Sequence, residues 1–443
     1  MKVMSFQSQK RISKEGGKPM DLGLNLKVRC HINKNGDGDR FVGVKADTDN
    51  AMVFFPMGYR LPENEEDIRN DILKLIDIIS TFNDSKDRVL AMDQFEAPQS
   101  VNFPVNAYMN IIRYFLEQGD YYKEKEQIRK TADKGKIDFP ASLKRNVKFF
   151  QEDGSPFFDK YTVRGSKPNE KNLITQIHKY CVFEAFSTLG WLFTPHLPSD
   201  PHITLESERF LYTIKQKLKD TYNDRDKLLF QAMVQMLEYL DNENQDKQYY
   251  FGTDRFEYVW EKLIDEIFGV RGKEEFFPRT KWKMKFKGEK DNHALEPDSI
   301  MLCNNKIYVL DAKYYRYGVT GKMNHLPESS SINKQITYGE YIENCKSLKD
   351  KYGGLPIYNA FLMPFNKSDN PFNVTDSYFI NVGEATSEWK HNDKTYEKVQ
   401  GIVVDIRFIM NNYNGSHKSK IIKLANVIDE ELEKTNGELP VSS

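Results

Sequence analysis

Apolar positions follow two rhythms along the chain. Near the start, Phe41-Val-Gly-Val44 and Ala51-Met-Val-Phe-Phe-Pro56 read as short strands on either side of a turn cluster, Asp47-Thr-Asp-Asn50. Pro62-Glu-Asn-Glu-Glu-Asp67 then opens a helix, its acids suited to the positive end of the helix dipole. Ile68, Ile72, Leu75, Ile76 and Ile79 give that helix one broad apolar face. Helical spacing continues over 106–116, 173–189, 205–218 and 227–239, so residues 1–245 read as a mixed region, α-rich in its second half. The polar stretch from Asp241 to Lys247 belongs to no core, and a domain boundary is expected there, with 246–443 beyond it.

The second rhythm alternates helix, strands, helix and strands, which predicts an α/β (α+β) domain on a mixed sheet flanked by helices. Phe256, Val259, Trp260, Leu263, Ile264, Ile267 and Phe268 form one wide helical stripe that Gly269 ends. At 100° per residue Glu257 projects between Ile264 and Phe268, inside the stripe, and Glu261 lies at its edge. A carboxylate in a buried stripe needs a basic partner or a metal. Lys281-Trp-Lys-Met-Lys-Phe-Lys287 alternates strictly. It predicts a strand with Trp282, Met284 and Phe286 toward the core and Lys281, Lys283, Lys285 and Lys287 toward solvent. The lysines have no acidic partner within the run. They protect a sheet edge or contact phosphate.

Composition narrows the class. The chain has 443 residues, 39% apolar and 29% charged, which suits two or three ordinary globular domains and not a disordered chain. No apolar run reaches the roughly 18 residues that span a bilayer, and the start carries Lys and Arg without an apolar secretory core. Cys30, Cys181, Cys303 and Cys345 are scattered, as expected of reduced thiols in a cytoplasmic protein without a zinc cluster. A net charge of −1 argues against a globally basic, coat-like DNA binder and leaves room for a local basic face.

The chemistry concentrates in one place. Leu295-Glu-Pro-Asp-Ser-Ile-Met-Leu302 brings Asp298 to the start of an apolar strand, and Ile307-Tyr-Val-Leu-Asp-Ala-Lys313 is a second strand, apolar except at its end. Asn304-Asn305 suits a tight hairpin turn between them, which sets Asp298 close to opposite Asp311. Asp311 and Lys313, two apart, share a face. Cutting a phosphodiester needs a nucleophilic water and a way to stabilise the pentavalent phosphorane. Hard Mg²⁺ takes one or two carboxylates, lowers the pKa of water and neutralises developing charge. A lysine beside it can orient or deprotonate the water. Glu257 or Glu261 would complete the metal shell. Downstream, Lys334, Gln335 and Tyr338 lie within one turn of a helix opening at Ser331, where they can hold a phosphate or a base edge. Strands are expected at 357–363, 378–382 and 402–407, and a closing helix over 419–432.

A helix glutamate, Glu296-Pro-Asp298, Asp311-Ala-Lys313 and Lys334-Gln335 with Tyr338 together resemble the PD-(D/E)XK nuclease superfamily, the Lys-Gln and Tyr element its restriction branch. With the early strand Ala51 to Pro56 and the nuclease in the C-terminal half, the layout resembles LlaJI-type restriction endonucleases, relatives of the nuclease subunit McrC. The motif match covers about 256–341, and Gly135-Lys-Ile-Asp-Phe139 adds a looser likeness. The resemblance implies Asp298 and Asp311 as Mg²⁺ ligands, Lys313 as the catalytic lysine and Gln335 as an auxiliary glutamine. The Trp-Glu261 pattern fits the family better, whereas helical projection favours Glu257.

It further implies double-stranded DNA as substrate, a separate AAA+ GTPase or ATPase (McrB-like) subunit and a protecting cytosine methyltransferase. The chain has no Gly-x-x-x-x-Gly-Lys-Ser/Thr loop, so any motor is another protein. Cutting both strands calls for two active sites, hence a homodimer or an assembly. Residues 1–245 would recognise DNA or dock the motor. A type II or McrBC-like site-specific deoxyribonuclease is the leading reading. A repair or recombination nuclease of the same superfamily and an inactive DNA-binding adaptor are the alternatives.

Overall fold

The computed structural model describes residues 26–36, 38–46, 51–82, 103–152, 154–194, 197–241 and 249–437. The Lys- and Arg-bearing start, the turn cluster at 47–50 and the polar stretch at 242–247 lie outside the described residues.

In chain order the first elements are β1 (Cys30–Ile32), β2 (Val42–Ala46), β3 (Ala51–Phe55) and α1 (Glu65–Phe82). There follow α2 (Val105–Gln118), β4 (Glu124–Ala132), β5 (Lys136–Ile137), α3 (Phe139–Arg145), β6 (Phe149–Phe150), β7 (Pro156–Phe157), β8 (Tyr161–Asn169), α4 (Leu173–Leu189), α5 (Ser207–Lys219) and α6 (Asp224–Asp241). Next come β9 (Tyr249–Thr253), α7 (Phe256–Phe268), β10 (Lys281–Met284), β11 (Gly288–Asp291), β12 (Ser299–Cys303), β13 (Lys306–Ala312) and α8 (Tyr317–Thr320). The chain closes with α9 (Ser329–Asn344), α10 (Lys346–Tyr352), β14 (Ile357–Phe365), β15 (Phe379–Ala385), β16 (Val399–Asp405), α11 (Ile406–Asn412) and α12 (Lys418–Gly437).

The described residues between Asn102 and Lys247 form one compact unit, and those between Asn25 and Val101 join those from Gln248 onward in a second. In the first, α2, α4 and α6 bury Tyr108, Ile111, Ile112, Ile177, Cys181, Phe230 and Met233. Its β4 pairs antiparallel with β8 along nine residues, Glu124↔Asn169 to Ala132↔Tyr161. Periodicity gives no hint of β4, because Glu-Lys-Glu-Gln-Ile-Arg-Lys-Thr-Ala has one large apolar residue and lies mostly exposed.

The second unit owes its composition to β9, which pairs antiparallel with β2 and completes a four-stranded sheet of order β1-β3-β2-β9. Gly43 and Gly252 stand opposite each other in that pairing. A Cβ on Gly252 would lie 2.3 Å from the Val42 carbonyl, and one on Gly43 2.1 Å from that of Phe251, so the close approach admits only glycine. The same unit is tied by Arg407, whose Nε donates to buried Asp71 at 2.8 Å.

Its principal sheet has the order β12-β13-β14-β16-β15, with β13, β14 and β16 parallel and the outer strands β12 and β15 antiparallel. The unit is the mixed α/β arrangement that the alternation predicts. Ile307 and Val309 face a cluster with Ile336 and Ile342 of α9, while the Tyr308 hydroxyl donates to Asp429 of α12 at 2.9 Å. The whole apolar stripe of α7 is buried. The expected strand at 402–407 stops at Asp405 instead. The Asp405 side chain accepts the Phe408 amide and caps α11, so Ile406 and Arg407 begin a helix.

The basic strand departs from its expected setting. β10 pairs only with β11, in a separate two-stranded ribbon. Alternation fixes the two faces of a strand but not whether a core lies behind either. Trp282, Met284 and Phe286 are 60%, 51% and 88% exposed, not buried. The lysines also find an acidic partner from outside their run: Lys281 and Lys283 approach Glu289 at 2.9 and 3.6 Å.

Candidate active site

Asn304 and Asn305 take φ of 48° and 56°, the left-handed pair that a two-residue type I′ turn requires and that asparagine tolerates. The turn sets the β12–β13 register, with Ser299 against Leu310, so one step further Asp298 faces Asp311. Asp311 is almost fully buried, and the Lys313 Nζ pairs with its Oδ2 at 2.8 Å.

Several contacts hold the Asp298 loop. Its Oδ2 accepts the Ala312 amide at 2.7 Å, and its backbone carbonyl accepts Lys273 Nζ. Lys273 also pairs with Asp265 of α7 at 2.8 Å, and Ser299 donates to the other Asp265 oxygen at 2.9 Å. Two residues earlier, the Glu296 carbonyl accepts the Tyr338 hydroxyl at 2.9 Å. On the Lys313 side, the Lys313 amide and the Trp260 indole both donate to the Leu362 carbonyl, at 2.9 and 3.2 Å. The Tyr314 hydroxyl accepts the Met57 amide at 2.7 Å, so the segment after β3 braces the residue next to Lys313. Lys273 and Tyr314 escape sequence reasoning because their partners are distant in the chain.

The electrostatics show how crowded the acids are. Burial, reinforced by the Asp311 and Glu261 carboxylates, holds Asp298 well above the usual carboxylate range, against the Ala312 amide. Burial pushes Glu261 up to about 7; Lys313 and Lys334 oppose the rise, and Asp311 and Glu257 add to it. Burial alone would depress the Lys313 ammonium, but Asp311 and then Asp298 outweigh it and hold the group above the usual lysine range.

Each sequence candidate therefore has a definite place. Asp298, Asp311, Lys313 and Glu261 act on one another at one end of the hairpin. Glu257, one turn before Glu261, acts on Glu261 and on Tyr314. Gln335 is fully buried beneath β13, its Nε2 donating to the Val309 carbonyl at 2.7 Å and its Oε1 without a partner. Lys334 is exposed, its ammonium 5.7 Å from the Tyr338 ring. Tyr338 is fully buried with its hydroxyl on Glu296, so the expectation of a DNA contact there is corrected. Lys281 and Lys283 lie on the ribbon, and Lys285 and Lys287 in its turn.

Among the described residues no group of three or more His, Cys, Asp or Glu stands in metal-ligating geometry. Asp311 is turned to Lys313 and Asp298 to the Ala312 amide. The donor set nevertheless fits a hard divalent cation: burial, with the neighbouring carboxylates adding to it, raises Asp298 and Glu261, and a cation beside them would favour their charged forms. Among the described residues no helix is long and apolar enough to cross a membrane.

The model of the LlaJI restriction endonuclease family matches residues 41–386. No curated protein matches the chain. Among solved structures it is similar to a chain of the refined half-complex from the tetradecameric assembly of Thermococcus gammatolerans McrB AAA+ hexamers with bound McrC. That similarity has 14% identity and a TM-score of 0.36, covering 87% of this chain and 82% of that one.

Proposed function

Because the chain belongs to the LlaJI restriction endonuclease family, we propose that this restriction nuclease hydrolyses double-stranded DNA by a Mg²⁺-dependent PD-(D/E)XK mechanism. The observation that carries the reading is the meeting of Asp298, Asp311, Glu261 and Lys313 at the hairpin end. Asp298, Asp311 and Glu261 would hold the Mg²⁺, which supplies Lewis-acid activation of water and of the phosphate. Lys313, kept protonated by Asp311, orients the attacking water and stabilises charge building on the phosphate oxygens. The tethers on Glu296 and on the Asp298 carbonyl keep Asp298 facing Asp311. Water attack leaves a 5′-phosphate and a free 3′-hydroxyl.

Residues 1–245 would recognise DNA or dock a separate AAA+ subunit, since the chain has no nucleotide-binding loop of its own. A cytosine methyltransferase would protect the host, and a second copy of the active site would cut the second strand. The test is plasmid cleavage with Mg²⁺, with and without a motor subunit and GTP or ATP. Discrete fragments from the chain alone indicate a type II enzyme, and cutting only with motor and nucleotide indicates the McrBC-like form. Asp311→Ala is expected to lower cleavage by about 10³-fold or more. Its fold is checked by circular dichroism, because the substitution also takes away the carboxylate paired with the Lys313 ammonium. Undiminished cutting by that variant would rule the mechanism out.

A further inference from the structure

We propose that the β10–β11 ribbon is a DNA-inserting arm whose tip, Lys285-Phe286-Lys287, enters a groove of the duplex beside the cleaved phosphate. This rests on the nuclease reading and adds a contact that the lysine pattern alone did not give.

The ribbon is unusual for a soluble surface. A two-stranded ribbon is marginal in water by itself, and this one leaves Trp282 and Met284 largely bare along one face and Phe286 bare in the turn. In register, Trp282 stands against Lys290 and Met284 against Gly288, so that face carries aromatic and cationic groups together. The opposite face is half neutralised, since Lys281 and Lys283 share Glu289. At the tip the charge is available: Lys285 and Lys287 flank Phe286 in the turn, and no carboxylate of a described residue lies within ion-pair distance of either.

The occupant follows from charge and position. From Lys281 to Asp291 the ribbon has five lysines against Glu289 and Asp291, and cations around exposed aromatic rings suit phosphates around stacked bases. Four residue pairs reach about 13 Å at ~3.3 Å per residue, enough for the roughly 8.5 Å depth of a major groove, which admits a two-stranded ribbon. The base of the arm is fastened close to the acids. The Asn292 amide bonds the Thr280 carbonyl and the Leu295 amide the Pro278 carbonyl, both at 2.9 Å, just ahead of Asp298.

The test measures binding of a fluorescent 30-base-pair duplex to the full chain across a salt series, with Ca²⁺ in place of Mg²⁺, alongside cleavage. The ribbon substitutions are all at exposed positions, and circular dichroism checks the fold of every variant. Trp282→Ala with Phe286→Ala is expected to weaken binding about tenfold or more with the salt slope unchanged. Lys285→Ala with Lys287→Ala should lower the slope by about 2. If the aromatic double variant binds and cuts like the unaltered protein while Asp311→Ala is dead, the arm is wrong and the nuclease reading survives. Cutting by Asp311→Ala strikes at that reading instead. An aromatic variant that keeps duplex binding but loses a motor subunit would make the ribbon a protein-docking surface and overturn the proposal, as would failure of the unaltered chain to bind duplex.

Discussion

Tyr338 lies on the helix that carries Lys334 and Gln335, yet its ring is sealed in the core and only its hydroxyl does positional work, on the Glu296 carbonyl. Tyr338→Phe removes that single donor at a cost of about 1 kcal/mol and frees the loop that ends in Asp298. The cleavage rate is expected to fall about tenfold with duplex affinity unchanged. A drop in affinity with an unchanged rate would mean that the tyrosine meets DNA after all. Asp298, Asp311 and Lys313 were legible in the sequence because a turn pair and a period of two set their placement locally. Lys273 was not legible. Its bond to the Asp298 carbonyl depends on where α7 lies, and nothing in its neighbourhood marks it.

Among elements, α7 was readable to the residue, because a seven-position stripe ended by glycine leaves little freedom. Projection along that helix nevertheless favoured Glu257. A helical wheel shows which residues share a face but not what the face meets, and it is Glu261 that acts on Asp298. The ribbon is the converse case, an alternation with no sheet behind it. The β2–β9 pair makes a prediction at this scale. Gly252→Ala would put a methyl group 2.3 Å from the Val42 carbonyl and force the strands apart. The variant should lose about 2 kcal/mol of stability, read as a lower urea midpoint. A midpoint equal to that of the unaltered chain would show that the strands do not approach so closely.

At the scale of the whole molecule, the first unit carries a liability to acid. His178, fully buried in the first unit, accepts the Tyr122 amide on Nδ1 at 2.8 Å, has no partner on Nε2, and is pushed down to about 3 by burial. An unfolded histidine takes up its proton near 6.5, so between about 6.5 and 3 the unfolded chain binds the extra proton and the folded chain does not. The neutral ring therefore stabilises the unit fully above about pH 6.5. That stabilisation falls by ~1.4 kcal/mol for each pH unit below it. Denaturant midpoints of the unaltered chain and of His178→Gln, compared from pH 7 to 5, should diverge in slope. Parallel slopes would remove His178 as the cause.

The amino-acid sequence by itself determined what depends on neighbours a few residues apart: the stripe of α7, the Asn304-Asn305 turn, the register that sets Asp298 against Asp311, and the shared face of Asp311 and Lys313. Tertiary structure alone decided what depends on distant partners. It joined β9 to β2 through two facing glycines and brought Glu261 over the hairpin. It buried Tyr338 and Gln335, and it left the lysine ribbon bare on both faces. The physical reason is range. Backbone geometry and side-chain period act over a few residues, whereas burial and charge pairing depend on which surfaces meet when the chain closes on itself.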